Sequence, residues 1–185
     1  MIHRLAVTSV LPAVVLSAVA TLAVTPPAVA QRPAAHPQAR PANAPRSIGK
    51  FDDWQAATHT EGDQTVCYAF TRATASAPAL PGRGEVVLTV TERVTPRDAV
   101  AMSAGFAYAA GAEVQMQVDG ASHPFYTDKR NAFARDGKAL VAAFAKARTV
   151  QAKSPGPRNA GVTDNFSLRG FSPAYAAIIK ACPPK

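Results

Sequence analysis

The chain has 185 residues, a formal net charge of +8 and only two cysteines, with 48% hydrophobic and 17% charged residues. That length suits one domain, and two cysteines exclude any framework of several disulfides. The cations are interspersed with acids, as in Glu92-Arg93 and Asp128-Lys129-Arg130, and build no basic stripe with interleaved aromatics, so nucleic acid is not an expected partner.

Residues 1–4 are a short basic start, residues 5–24 are almost wholly apolar, and Ala28-Val29-Ala30 has the small-x-small form of a cleavage site. Residues 1–30 therefore read as a signal peptide cut after Ala30. The other reading is an uncleaved anchor, since about 20 apolar residues span a bilayer. Pro12 and the cleavage triplet favour removal, and Gln31 rather than a cysteine follows, which argues against lipid anchoring. Residues 31–46 alternate Pro, Ala and Arg and read as a disordered tether. A single domain is expected over residues 47–185, periplasmic or secreted. Removing Arg4 with the signal leaves 19 Lys plus Arg against 12 Asp plus Glu. A mobile basic arm on a basic domain favours electrostatic association with anionic lipid or polysaccharide.

Period-two alternation dominates from Trp54 onward, so the body is expected to be strand. Residues 55–60 lead through Gly62-Asp63 into residues 65–72, where Val66, Tyr68 and Phe70 share one face and Cys67, Ala69 and Thr71 the other. Residues 74–84 read as a loop. Residues 85–94 form the clearest strand, with Val86, Leu88 and Val90 in phase; residues 99–104 form a weaker one, followed by a loop at 105–111. Asp119-Gly120 predicts a type I′ hairpin that sets Val118 against Ala121, Met116 against His123, Val114 against Phe125 and Pro124 against Gln115. Phe133 is expected to point inward. Asp136 caps a predicted helix at 137–148, residues 149–153 and 162–168 are strands, and Ser172 caps a last helix at 173–182. The fold class is mainly β, a sandwich-like antiparallel β domain with two short helices; the alternative is an open α+β sheet.

In an oxidising compartment the two cysteines are expected to pair, Cys67 with Cys182, closing a loop of about 115 residues. Loop closure of that length stabilises by about 4 to 5 kcal/mol at most. No catalytic constellation is legible: there is no nucleophile elbow, no phosphate loop, and no spacing that suggests a metal site or a cofactor. Phe106 and Tyr108, in a glycine-bounded loop, are candidate binding residues if exposed, and His123 is the third, as an imidazole on a core-facing position. The chain thus reads as a non-catalytic binding or structural module, expected as a monomer. The alternative is a small periplasmic enzyme or small-ligand binder using His123 with a distant carboxylate such as Asp128 or Asp164.

Several short motifs fall in a recognisable order: Gly49-Lys50-Phe51-Asp52-Asp53-Trp54, Val66-Cys67-Tyr68, Arg83-Gly84-Glu85-Val86, Gly111-Ala112-Glu113-Val114 and Gly137-Lys138-Ala139-Leu140-Val141. Ser167-Leu168-Arg169-Gly170-Phe171 and Ala174-Tyr175 follow, with Cys182 at the end. In these the chain resembles the invasion-associated locus B family of secreted bacterial envelope proteins. The resemblance implies a periplasmic or surface-exposed, non-enzymatic protein whose partner is an envelope or host-surface component, some members being virulence-associated and linked to entering host cells. It carries over no catalytic residues.

Overall fold

The computed structural model describes residues 44–184. The predicted signal peptide and all of the predicted tether before Ala44 lie outside the described residues. Eleven strands and two α-helices occur among the described residues: β1 (Arg46–Phe51), β2 (Trp54–Glu61), β3 (Gln64–Arg72), β4 (Ala75–Ala77), β5 (Val87–Glu92), β6 (Ala99–Ser103), β7 (Glu113–Val118), β8 (Ala121–Asp128), β9 (Asn131–Ala134), α1 (Gly137–Phe144), β10 (Thr149–Pro155), β11 (Gly161–Ser167) and α2 (Phe171–Ala181).

The strands pair antiparallel in one sheet of order β1-β2-β3-β5-β6-β9-β8-β7-β10-β11-β4. β3 is third in that order and β4 last, yet only residues 73 and 74 separate them. Two residues span roughly 7 Å, so the sheet must roll until its β11–β4 edge meets β3. Cross-links confirm it: Thr74 N donates to Asn165 O at 2.8 Å, Ala73 N to Val86 O at 3.0 Å and Trp54 Nε1 to Ser167 O at 3.0 Å. The architecture is mainly antiparallel β with two short helices, as the alternation predicts, and its facing layers are parts of one continuous sheet.

Inside the roll sits one main core. Leu88 and Val90 on β5, Met102 on β6, Met116 on β7 and Phe166 on β11 join Leu140, Phe144, Phe171 and Ile178 from the helices. The apolar side of each strand supplies every second residue, the ordinary outcome of period-two alternation. Cys67 lies on this inner side and bonds Cys182 with a Cα–Cα distance of 5.9 Å, so α2 is pinned against β1, β2 and β3.

The hairpin register is as predicted, with Val118 opposite Ala121, Met116 opposite His123 and Gln115 opposite Pro124, and with Asp119 and Gly120 at φ 46° and 84°. Three expectations are corrected. First, α1 is capped by Asp136, which accepts from Ala139 N at 2.9 Å, but it stops at Phe144 rather than Arg148. Leu168 N takes the carbonyl of Arg148 at 2.9 Å and draws that residue onto the sheet.

Second, Ser172 does not cap α2. The helix starts at Phe171 after Gly170, whose φ is 86° and where any Cβ would strike the Phe51 carbonyl. Burial of Phe171 edge-on against Trp54, at 4.9 Å, extends the helix back by two residues. Third, Phe133 faces outward, opposite Ala101 and Tyr126. The loop predicted at 74–84 contains the short strand β4, and the segment before Trp54 is the edge strand β1.

Candidate functional site

Phe106 and Tyr108 do not form an exposed contact surface. Phe106 is 8% exposed in a small cluster with Ala104 and Val162, and Tyr108 packs edge-on against it at 5.2 Å. Arg83 caps the Phe106 ring, 5.0 Å from its centroid, because the same guanidinium is committed to a buried carboxylate, Asp164. Burial pushes the Tyr108 phenol up to about 12. Its hydroxyl lies near Ser154 Oγ, but neither forms a well-aligned hydrogen bond.

His123 lies half-buried on the inner side of β8, and its Nε2 has no partner among the described residues. The two carboxylates expected as its companions are out of reach. Asp164 is on the same inner side but three strands away, along the register His123, Met116, Ala152, Asp164, which is roughly 14 Å at ordinary strand spacing. Both of its oxygens are already engaged by Arg83 and Ser76. Asp128 is further along β8 and on the opposite side of the strand. Among the described residues no group of three His, Cys, Asp or Glu is placed to hold a metal ion.

The outer side of the sheet carries a more organised feature. One register row runs Phe70, Thr89, Ala101, Phe133, Tyr126, and the next runs Tyr68, Thr91, Ala99. The floor is therefore Thr and Ala on β5 and β6, and the walls are two aromatic ledges. Tyr68 and Phe70 stand on β3 with ring centroids 5.9 Å apart, and Tyr126 and Phe133 stack at 5.4 Å on β8 and β9. Three strand steps separate β3 from β9, so the ledges are roughly 14 Å apart.

Two clefts of about 460 and 450 Å³ occupy this surface and meet at Thr91 and Arg93, which line both. Tyr126 is 47% exposed, an unusual burden for a large aromatic. The rim carries arginines held in ion pairs with glutamates. Arg93 pairs with Glu61 at 2.8 Å and Arg135 with Glu113 at 2.7 Å, while Arg72 pairs with Glu85 at 2.9 Å. Hydrogen bonds from Arg93, then His59, hold Glu61 down at about 2.

At the end of the groove lies a buried carboxylate. Glu92 is in phase with Leu88 and Val90, across from Cys67, and is fully buried. Its Oε1 accepts from Asp98 N at 3.2 Å. Its Oε2 is 2.8 Å from Arg97 Nη2 but off the N–H axis, so that contact is an ion pair without an aligned hydrogen bond. Burial, then the Asp98 carboxylate, push Glu92 up to about 7 against the pull of Arg97. Asp98 accepts from the Tyr175 hydroxyl at 2.6 Å and Arg97 donates to Cys182 O at 3.0 Å, which ties this cluster to α2.

The sequence profile described as Invasion associated locus B (IalB) protein matches residues 54–179, well over half of the chain. The chain belongs to the IalB family. A crystal structure of invasion associated protein B from Bartonella henselae is similar to it, with a TM-score of 0.53 and 17% identity over 74% of this chain and 96% of that one. At that identity the likeness concerns the fold. No curated protein matches the chain.

The IalB match spans both aromatic ledges and their floor but stops before Cys182. Sequence reasoning misses the groove because its parts lie on five strands. Only Tyr68 and Phe70 are legible there, as an aromatic face. A signal for Tyr126 is present: it alternates with Phe125 on a strand whose other side is apolar, so one of the two has to face out.

Proposed function

We propose that this IalB-family chain is an exported, non-catalytic binding module of the cell envelope, and that the aromatic groove on the outer side of the sheet is its contact surface for an envelope or host-surface component. The observation that carries this reading is the pairing of two aromatic ledges across a smooth floor on a sheet pinned by the Cys67–Cys182 bond. Binding residues on a rigid scaffold lose little entropy when a ligand arrives. Clefts of about 450 Å³ lie within the range of ligand sites. The leader-like residues 1–30 and the disulfide support export.

The test is retention of the purified chain on envelope fractions and on host-cell surfaces, compared with the double variant Tyr68→Ala, Tyr126→Ala. Retention should fall by about tenfold or more in the variant while its thermal unfolding stays close to that of the parent. Equal retention would remove the groove as the contact surface.

A further inference from the structure

The occupant of the groove follows from what its walls and floor offer. The floor strands β5 and β6 spend their backbone groups on pairing with β3, with each other and with β9. An extended peptide that joins a sheet by main-chain hydrogen bonds therefore finds no open edge here. A bilayer is flat and is met by protruding apolar side chains, whereas this surface is concave between two ledges. A chain lying along the groove meets an aromatic ledge on each side, Tyr68 and Phe70 on one and Phe133, with Tyr126 stacked behind it, on the other. Aromatic faces carry the negative lobe of the ring quadrupole, which complements the weakly positive C–H groups of a sugar.

Charge completes the selection. Arg93, Arg97 and Arg135 line the groove with one carboxylate, Asp98, whose Oδ1 already accepts from Tyr175. The acids that hold Arg93 and Arg135 are not among the lining residues. Arg93 spends Nε and Nη2 on Glu61, and Arg135 spends Nη2 on Glu113. Among the described residues Arg93 Nη1 and Arg135 Nε and Nη1 keep N–H groups without a hydrogen-bonded protein partner. The pairs orient the guanidinium groups, and because exposed ion pairs stabilise by only about 0 to 1 kcal/mol, an incoming carboxylate competes with them readily.

We propose that the groove binds a linear acidic polysaccharide, with the Tyr68–Phe70 and Phe133–Tyr126 ledges as stacking platforms and Arg93 and Arg135 as carboxylate contacts. This rests on the groove being the contact surface. The full chain is tested by affinity electrophoresis against two uronic-acid polymers, polygalacturonate and hyaluronate, against neutral dextran, and by co-sedimentation with phosphatidylglycerol vesicles. At least one acidic polymer should retard the chain while dextran and vesicles do not. Tyr126→Ala and the double variant Arg93→Gln, Arg135→Gln should each weaken that binding about tenfold. Binding should fade as salt approaches about 1 M, where the Debye length is about 3 Å.

Equal binding of dextran, vesicle binding without polymer binding, or variants that bind the acidic polymer like the parent would each overturn the proposal. If neither acidic polymer binds but the Tyr68→Ala, Tyr126→Ala variant still loses envelope retention, the ligand class is wrong and the groove stands. If retention is also unchanged, both readings fall. Thermal unfolding of each variant separates lost binding from lost fold.

Discussion

Glu92 and Asp164 are both fully buried, both point into the roll in phase with apolar neighbours, and both have an arginine within 2.8 Å. Asp164 meets a complete set of donors. Arg83 reaches its two oxygens through Nη1 and Nη2, each at 2.8 Å, and Ser76 Oγ adds a third bond at 2.6 Å. Arg83 is itself 7% exposed and places Nε on Ala104 O. The Arg97 beside Glu92 is 25% exposed and divides its donors between the carbonyls of Arg93 and Cys182. The difference teaches that donor geometry, not the mere presence of a cation, settles a buried charge. A planar fork matches a carboxylate edge to edge; a shared guanidinium leaves the carboxylate short of donors, and Glu92 is pushed up to about 7 by burial and by Asp98. One centre is locked by donors on both carboxylate oxygens, and the other leaves Glu92 short of them.

The largest perturbation should come from opening the disulfide on the Glu92 side. The bond joins residues 115 apart, and loop closure of that length stabilises by about 4 to 5 kcal/mol at most. Urea unfolding of the reduced, alkylated protein should show most of that loss, and the Glu92 centre should loosen with it because Arg97 is anchored on Cys182 O. A loss below about 1 kcal/mol would mean that the staple constrains little. Next is the lock: Asp164→Ala strands Arg83 in the interior and should cost about 3 to 5 kcal/mol. The double change Arg83→Met, Asp164→Leu should cost less than either single change, because it leaves no buried charge. Additive losses would show that the pair is not the acting unit.

Much of the fold is legible in the sequence, because alternation and turn chemistry act locally. Asp119-Gly120 alone sets the register of six residue pairs, and two cysteines leave one bond to make. What is not legible depends on partners far along the chain. Gly170 starts α2 because the Phe51 carbonyl approaches it, and nothing near residue 170 in sequence announces that. Phe106 is covered because Arg83 comes to Asp164. A sharper signal lies in phase: Glu92 sits two residues after Val90, and Asp164 falls between Val162 and Phe166 on the inward side. A carboxylate in an apolar phase must find donors or a proton, so the alternation itself marks both positions as polar centres. The groove, assembled from β3, β5, β6, β8 and β9, needs the strand order and has no such local mark.

Titration sharpens the comparison further. The ordinary glutamate value is 4.5 and Glu92 stands at about 7 in the fold. Between those values the native protein holds a proton that the unfolded chain has released, so stability should fall as pH rises through that window, by at most about 3 kcal/mol. Glu61 works the other way. Held down at about 2, it contributes stability above 4.5 that is lost as pH falls toward 2. The melting temperature should therefore peak near pH 5, and Glu92→Gln should flatten the decline between pH 5 and 7 while leaving the acid limb intact. An unchanged decline in Glu92→Gln would assign it to another group.

The smallest changes separate the two centres most cleanly, because each centre has one hydroxyl donor at 2.6 Å: Tyr175 on Asp98 beside Glu92, and Ser76 on Asp164. Burial, then the Asp98 carboxylate, push the Tyr175 phenol upward, so it remains a donor throughout the neutral range. Tyr175→Phe and Ser76→Ala should each cost about 1 kcal/mol, since each removes a single hydrogen bond to a carboxylate. Their pH profiles should differ. Without the phenol, the charge on Asp98 is less compensated and repels an ionised Glu92 more strongly, so the upper end of the Glu92 window should move to higher pH. Ser76→Ala removes a bond to Asp164 and touches no group around Glu92, so the profile between pH 5 and 8 should match that of the parent. Melting curves of the two variants across that range decide the matter, and a shift of equal size in both would mean that the two centres do not differ in donor geometry.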